Sequence, residues 1–140
     1  VEKLIIGIGT DLVKINRIQG ILNRYGDKFR DRIFSKSEQD KAKSKSDEAG
    51  TYAKRWAAKE ACSKALGTGF RKGISWKDIS ITNLSEGQPN VTITGETKIQ
   101  MSKLIPPDHY GIIHLSLSDD YPLAQAFVII EALPMQKIEE

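Results

Sequence analysis

Residues 56–69 read Trp-Ala-Ala-Lys-Glu-Ala-Cys-Ser-Lys-Ala-Leu-Gly-Thr-Gly, and this stretch decides the prediction of the fold. Alanine, lysine and glutamate are strong helix formers, and glycine commonly ends a helix. We therefore predict a helix over about residues 51–66 that ends at Gly67. Successive i,i+4 positions of this helix form a stripe that is half aromatic and half charged: Tyr52, Trp56, Glu60 and Lys64.

Toward the N-terminus, an isoleucine-rich run predicts a strand over residues 1–13 that is buried on both faces. Helical spacing of apolar residues predicts an amphipathic helix over 14–25 that ends at Gly26. The capping-box pattern Ser35-Lys36-Ser37-Glu38 predicts a second helix running through Ala42, followed by a polar loop over 43–50.

Beyond Gly73 the pattern changes to the alternation of β-strands, which predicts a hairpin of strands 79–82 and 91–94. A helix over 96–104 follows, and then two longer strands over 112–118 and 123–133. The sequence therefore predicts an α+β fold in which an antiparallel sheet packs on helices.

Composition sets the limits of this prediction. A chain of 140 residues, 39% of them hydrophobic, can bury one core, so we expect a single domain over 1–134 and a polar tail over 135–140. The net charge of +3 favours an acidic partner or a phosphorylated ligand but is too small to require nucleic acid. The run over residues 4–8 is too short for a membrane span and lacks signal-peptide features, so we expect a soluble, cytoplasmic protein.

The single cysteine, Cys62, cannot form an internal disulfide, and its position in an alanine-rich helix predicts a small buried or half-buried side chain rather than a nucleophile. With two histidines and one cysteine in the chain, a zinc cage is not expected. The sequence also lacks the phosphate-binding pattern G-x-x-x-x-G-K-[ST].

Charged residues at two places could form one site. The segment Gly7-Ile8-Gly9-Thr10-Asp11 begins like a dinucleotide fingerprint, but Leu12 stands where the third glycine should be, so that interpretation fails. Asp11 alone suits a turn or a helix cap; together with Glu60 it could hold a magnesium ion. The i,i+4 spacing alone favours an ordinary solvated ion pair between Glu60 and Lys64. Such a pair stabilises a helix by about 0.2–0.5 kcal/mol.

The C-terminal end of the predicted helix lies at Gly67-Thr68-Gly69. Because the helix dipole repels anions at that end, a phosphate bound there would depend on Lys64, other basic groups or a cation. Farther along the chain, His114, Ser116 and Ser118 fall on one face of a predicted strand. They suit a polar wall of a ligand site and the solvated face of an antiparallel strand equally well, whereas a Ser–His hydrolase is disfavoured because no nucleophile elbow precedes a helix.

Three segments occur in an order typical of one family: Gly7 to Asp11 with Arg17-Ile18, then Arg32-Ile33-Phe34-Ser35-Lys36-Ser37-Glu38, then Trp56 to Gly69. Together they resemble the holo-[acyl-carrier-protein] synthase family, the short bacterial type of 4′-phosphopantetheinyl transferase. The resemblance implies that family's fold and the transfer of 4′-phosphopantetheine from coenzyme A to a serine of apo-acyl-carrier protein, in fatty acid biosynthesis. It further implies magnesium as cofactor and a cytoplasmic homotrimer with active sites between subunits, without a membrane or nucleic-acid partner.

The resemblance also implies roles for individual residues. Asp11 and Glu60 would bind magnesium, and Glu60 and Lys64 would be catalytic. The residues implied to contact coenzyme A are Lys64, Gly67, Gly69, Gln88, Pro89, His114 and Ser116. Those implied to dock the acidic carrier are Arg17, Ile21 and Arg24.

One residue departs from the family pattern: Asp119 follows Ser118, where the family often has histidine. A carboxylate there would repel phosphate unless it faced away or approached the metal, so we leave Asp119 out of the predicted site. The alternative function is a non-enzymatic binding module that uses the basic first helix on an acidic protein or nucleic acid. That alternative accounts for the mild positive charge but not for the joint occurrence of Asp11, Glu60 and Lys64.

Overall fold

The structure is a computed structural model, and it describes residues 4–71 and 73–136. Its strands are β1 (Leu4–Lys14), β2 (Ile79–Asn83), β3 (Pro89–Ile93), β4 (His109–Asp120) and β5 (Leu123–Pro134). Its helices are α1 (Ile15–Tyr25), α2 (Asp27–Ile33), α3 (Lys36–Lys43), α4 (Glu48–Ala65) and α5 (Gly95–Ser102), with a 3₁₀ helix at Trp76–Asp78. Residues 1–3 of the predicted first strand and 137–140 of the predicted tail lie outside the described residues.

Strand β5 lies at the centre of a three-stranded antiparallel sheet with the order β1-β5-β4. Strands β2 and β3 form a separate antiparallel hairpin. Helix α4 packs across β1 and β5 of the larger sheet. The predicted α+β fold with an antiparallel sheet packed on helices is therefore confirmed.

Small residues allow α4 to approach the sheet closely. A Cβ atom added to Gly7 would lie 1.9 Å from the carbonyl oxygen of Ala65, and one added to Gly9 would lie 1.9 Å from that of Ala61. The facing side of β5 is also lined by small residues, since Ala124 and Ala126 are fully buried there. The two glycines of β1 are thus required by the short distance between this strand and the C-terminal half of α4.

We expect Gly9→Ala to lower the free energy of unfolding by about 3 kcal/mol or more, because overpacking costs about 1–3 kcal/mol even where side chains can adjust. Here the new methyl group would meet the backbone of α4. The matched control is Gly20→Ala in α1, where an added Cβ meets nothing within 4 Å. The control should stabilise the protein by about 0.5–1 kcal/mol. Urea denaturation measures both, and a Gly9→Ala variant as stable as the parent would contradict the close contact.

The prediction that the first strand is buried on both faces is wrong. Helix α4 covers the face that carries Gly7, Gly9 and Val13, whereas the opposite face is open in this chain. On that outer face Ile8 is 58% exposed and Leu12 is 61% exposed, and neighbouring Phe127 of β5 is 42% exposed. An apolar run predicts burial from composition alone. In this chain, however, helices pack against only one face of the sheet, so the apolar residues on the other face stay exposed.

The other departures from the predicted elements concern boundaries and one helix. Helix α2 was not predicted; it buries Phe29 and Ile33, which lie one turn apart. Helix α4 begins at Glu48, inside the predicted loop 43–50, because the Asp47 carboxylate caps it by accepting a hydrogen bond from Gly50 N at 2.9 Å. The capping box at Ser35, which begins α3, is confirmed.

A buried ion pair fastens the hairpin to the helices. Lys59 of α4 and Glu38 of α3 are both fully buried, with 2.8 Å between Lys59 Nζ and Glu38 Oε1. Lys59 Nζ also donates to the carbonyl oxygens of Trp76, at 3.0 Å, and Ile79. The second Glu38 oxygen accepts a hydrogen bond from Ile81 N at 3.0 Å. The pair therefore joins α3, α4 and the start of β2 at one point.

Candidate active site: a carboxylate cluster and a basic pocket

Asp11, Glu60 and Lys64, here called the carboxylate cluster, meet where β1 crosses the C-terminal half of α4. Asp11 lies within β1 on the side that faces α4, and its side chain is 15% exposed. Lys64 Nζ lies 3.1 Å from Asp11 Oδ1 and donates a hydrogen bond to the carbonyl oxygen of Thr10 at 2.9 Å. Asp11 is thus neither a turn residue nor a helix cap. Among the described residues the ion pair of Lys64 is with Asp11, so the interpretation of Lys64 as the ordinary helix partner of Glu60 is wrong.

Glu60 lies in an environment that disfavours its negative charge. Partial burial, and then the negative charge of Asp11, raise the pKa of Glu60 above its ordinary value. The positive charges of Lys64 and Arg17 oppose this shift. Two carboxylates close enough to repel each other, with a lysine beside them, form an arrangement that a cation or a proton would stabilise.

Arg17, on α1, lies beside this cluster. Its guanidinium carbon is 5.9 Å from the centroid of the Trp56 ring, a distance at which cation–π attraction operates. Along the same helix, Ile21 is half-buried, and the exposed Arg24 lies over the ring of Tyr25 at 5.3 Å. The residues predicted to dock a carrier therefore belong to a helix whose first turns border the carboxylate cluster.

Gly67 and Gly69 follow the end of α4 directly. Both have a positive φ, +82° and +58°, and an added Cβ would meet nothing within 4 Å of either. Glycine is thus favoured here by backbone conformation and not by crowding. The turn returns the chain to the helix through a hydrogen bond from Gly69 N to the carbonyl oxygen of Ser63 at 3.2 Å.

A second concave surface, here called the basic pocket, lies near the N-terminal half of α4 and encloses about 730 Å³. Its positively charged side chains are Lys41, Lys45, Lys54 and Arg55. Two carboxylates, Asp47 and Asp119, also line it, so positive charge predominates. Pro89 of the hairpin forms part of the wall, whereas Gln88 lies outside the lining and is exposed.

Arg55 is the most constrained cation of the basic pocket. It is 5% exposed, and its Nη2 donates to Asn83 Oδ1 at 3.0 Å. Within the described structure its buried Nε has no hydrogen-bond partner. Burial lowers the pKa of Arg55, although the charge of Glu38 opposes that change. A buried guanidinium with an unsatisfied donor is a suitable partner for an anion.

The cluster and the pocket are well separated in one chain. Arg55 and Lys64 lie nine residues apart on α4, which corresponds to about 14 Å along the helix axis and about half a turn around it. His114 and Ser116 are on the outer face of the three-stranded sheet, opposite to the face that carries Asp11. There His114 Nε2 lies 3.0 Å from Glu131 Oε1. The structure thus brings Asp11, Glu60 and Lys64 together but places His114 and Ser116 elsewhere.

Known proteins resemble this chain in both fold and sequence. Residues 7–126 match the family described as the 4′-phosphopantetheinyl transferase superfamily. The chain belongs to this superfamily. Over 132 residues it is 60% identical to a holo-[acyl-carrier-protein] synthase of Ruegeria sp. (strain TM1040), covering 94% of this chain and 93% of that relative. Over 133 residues it is 58% identical to that of Roseobacter denitrificans, covering 95% and 99%.

Solved structures in the superfamily agree. A holo-[acyl-carrier-protein] synthase from Neisseria meningitidis superposes with a TM-score of 0.80 at 33% identity, covering 91% of this chain and 98% of that one. One from Bacillus anthracis, in complex with CoA (3′,5′-ADP), gives 0.72 at 37% identity, covering 91% and 96%. One from Helicobacter pylori, in complex with coenzyme A, gives 0.74 at 34% identity, covering 88% and 98%.

In this superfamily member, Cys62 takes no part in the cluster. It is 1% exposed, and burial raises the pKa of its thiol to about 12, so at neutral pH it is protonated. The prediction of a buried structural thiol is therefore confirmed. Among the helices of residues 4–71 and 73–136, none has both the length and the apolar character needed to span a bilayer.

Sequence reasoning missed the basic pocket of this superfamily member. The sequence pattern predicts a polar loop at Lys45 and indicates no role for Arg55 beyond its place in a helix. One signal was available for Arg55, which lies among Ala53, Ala57 and Ala58 on a helix otherwise rich in small buried residues. A charge in such a setting predicts a specific partner, since charged residues are rarely buried without one.

Proposed function

We infer that the chain transfers 4′-phosphopantetheine from coenzyme A to a serine of apo-acyl-carrier protein, giving holo-acyl-carrier protein and adenosine 3′,5′-bisphosphate. The observation that carries this inference is the convergence of Asp11, Glu60 and Lys64. It occurs in a chain that is 60% identical to a holo-[acyl-carrier-protein] synthase over nearly its full length. The relatives of known structure that contain coenzyme A support the same donor substrate.

The reaction joins the serine oxygen to the phosphorus that bears pantetheine. The bond from that phosphorus to the bridging oxygen breaks, and the electron pair leaves with adenosine 3′,5′-bisphosphate. Lys64 would offset negative charge on the leaving phosphate. Two groups are candidates to accept the serine proton: Glu60, whose raised pKa a bound magnesium ion would lower again, and a water molecule that such an ion would hold. Positioning and charge neutralisation account for most of the catalysis in such transfers.

Asp11 and Glu60 fit a magnesium ion. Magnesium prefers oxygen ligands and commonly takes one or two carboxylates, completed by phosphate oxygens and water. The raised pKa of Glu60, caused in part by the charge of Asp11, indicates that a cation here would relieve repulsion between the two side chains. When bound, the ion would neutralise charge on the phosphates of coenzyme A. Separately, the family resemblance leads us to propose that the protein is cytoplasmic.

The arrangement favours a site shared between copies of the chain. Asp11 and His114 lie on opposite faces of one sheet, so one chain cannot present both to a single ligand. The outer face that carries His114 also exposes Ile8, Leu12 and Phe127, which suits burial against another copy. We propose a homotrimer whose active sites lie between subunits, so that the carboxylate cluster of one subunit faces the outer sheet face of the next, with His114 and Ser116. Sedimentation equilibrium measures the assembly state, and a monomer at assay concentrations would oppose this arrangement.

The basic pocket suits the phosphate carried by the ribose of coenzyme A. Phosphate is bound well by arginine and by clustered lysines, and Arg55 has an unsatisfied donor among the described residues. Pro89 supplies an apolar wall beside these cations. Gln88, Gly67 and Gly69 remain predicted coenzyme contacts, with the two glycines shaping the turn that leaves the carboxylate cluster.

The exposed cations of α1 are proposed to dock the acidic carrier protein. We expect Arg24→Glu to raise the Michaelis constant for the carrier by about five- to tenfold at low salt, because reversing a charge at the edge of an interface weakens attraction to an acidic partner. The effect should shrink as salt rises. Lys103→Glu, at the end of α5, is the control with the same change in net charge. An unchanged constant for Arg24→Glu at low salt would exclude this docking face.

The function is tested by mass spectrometry of an apo-acyl-carrier protein incubated with the chain, coenzyme A and magnesium. A gain in mass equal to phosphopantetheine on the carrier supports the proposal, and removal of divalent cations by chelation should abolish the gain. The non-enzymatic binding module predicts that the carrier binds the chain but shows no gain in mass. Persistent absence of the gain with several acidic carriers would refute the transferase.

A further inference from the structure

The basic pocket contains a carboxylate, Asp119, that opposes its positive charge. Asp119 lies near the end of β4 on the side facing α4, and its Oδ2 is 3.9 Å from Lys54 Nζ. Both side chains remain partly accessible, at 31% for Lys54 and 43% for Asp119. A separation of 3.9 Å is longer than a hydrogen bond, so Asp119 attracts Lys54 without fixing it in place.

The second carboxylate of the pocket, Asp47, has a different role. It caps α4 through a hydrogen bond from Gly50 N at 2.9 Å, which commits one of its oxygens to the backbone. Across the described residues the recorded contact of the Asp119 carboxylate is with Lys54 alone, and no backbone donor holds it. Although its backbone pairs within the sheet, the Asp119 side chain holds no backbone group in place among the described residues, and its charge faces the cavity.

We propose that Asp119 is a specificity-determining residue that limits the affinity of the basic pocket for phosphorylated nucleotides by competing with their phosphate for Lys54. The proposal rests on the proposed function, which places a phosphate of coenzyme A in this pocket. A phosphate that enters must share Lys54 with Asp119 and must approach a like charge. Both effects weaken binding, and they act on the released adenosine 3′,5′-bisphosphate as well as on coenzyme A. Asp119 therefore favours dissociation of the nucleotide product.

The expected effect is moderate, because the pair is partly exposed. Coupling between exposed charges changes binding by about two- to fivefold. Salt reduces it further, since the Debye length is about 10 Å at 0.1 M ionic strength. The affinity for an unphosphorylated ligand should not depend on Asp119.

The test is calorimetric titration of adenosine 3′,5′-bisphosphate into the parent chain and into Asp119→Asn, an isosteric change. We expect Asp119→Asn to bind about two- to fivefold more tightly at low salt, with the gain shrinking at 0.5 M salt. Asp120→Asn is the matched control, because Asp120 follows directly on β4 but points to the other side and lies outside the basic pocket. Its gain should be less than half as large.

A double-mutant cycle with Lys54→Met tests the competition directly. If Asp119 acts by holding Lys54, most of the gain from Asp119→Asn disappears when Lys54 is methionine. Equal affinity of Asp119→Asn and the parent, or an equal gain from Asp120→Asn, would overturn the proposal while leaving the transferase intact. If the parent chain neither binds the nucleotide nor transfers phosphopantetheine, the proposed function fails and the role of Asp119 fails with it.

Discussion

Replacement of Glu60 by glutamine is expected to slow phosphopantetheine transfer by about a hundredfold or more. Glu60 is the half-buried member of the carboxylate cluster, and its charge is repelled by Asp11 and attracted by Lys64 and Arg17. Glutamine keeps the shape but removes both the negative charge and the capacity to accept a proton. Loss of one preorganised electrostatic group in an active site commonly costs about 10²–10³ in rate. Initial rates of mass gain on the carrier measure the effect.

Stability should not account for that loss. Glu60 is partly exposed and makes no recorded ion pair within 4–71 and 73–136, so Glu60→Gln should change the free energy of unfolding by less than about 1 kcal/mol. Glu96→Gln, on the exposed side of α5, is the control for loss of one negative charge and should retain full rate. Retention of full activity in Glu60→Gln would remove Glu60 from both of its proposed roles, as base and as magnesium ligand.

The largest expected effect on stability is that of Lys59→Met. Lys59 and Glu38 are completely buried, and removal of the ammonium leaves the Glu38 carboxylate without its counter-charge. Breaking a buried pair by removing one partner costs about 3–5 kcal/mol. The carbonyl oxygens of Trp76 and Ile79 lose a donor at the same time. For a domain of this size we expect the thermal midpoint to fall by about 10 °C or more.

Two further variants distinguish the loss of the buried ion pair from the general effect of replacing a lysine by methionine. Lys54→Met, on the same helix but 31% exposed, should shift the free energy of unfolding by less than about 1 kcal/mol. Glu38→Gln combined with Lys59→Met should recover part of the loss, because the uncompensated charge is removed while Ile81 N still has an acceptor. A single Lys59→Met variant that is as stable as Lys54→Met would contradict a structural role for the pair.

The buried pair also connects stability with the site. It joins α4, which carries Glu60 and Lys64, to the start of the β2–β3 hairpin, which brings Pro89 to the basic pocket. Lys59 is next to Glu60 in sequence but points to the interior, whereas Glu60 lies near Asp11 of β1. One turn of α4 thus carries both a buried ion pair of the core and a member of the carboxylate cluster.

The sequence alone determined the elements whose signals are local. Alanine-rich composition and a following glycine located α4, the capping box located the start of α3, and alternation located the β2–β3 hairpin. These predictions succeeded because helix propensity, capping and strand periodicity depend on residues within a few positions of each other. Family resemblance, and not spacing, points to Asp11, Glu60 and Lys64 as a site, because spacing alone favours an ordinary helix pair of Glu60 and Lys64.

Only the tertiary structure decided which charges meet. Lys64 pairs with Asp11, 53 positions away, rather than with Glu60 on its own helix. The burial of Arg55, the opposition of Asp119 to the basic pocket and the exposure of Ile8 likewise depend on how α4 lies on the sheet. The physical reason is that burial and electrostatic pairing arise between segments distant in sequence. The close contact of Gly7 and Gly9 with the backbone of α4 is one such feature, and periodicity does not reveal it.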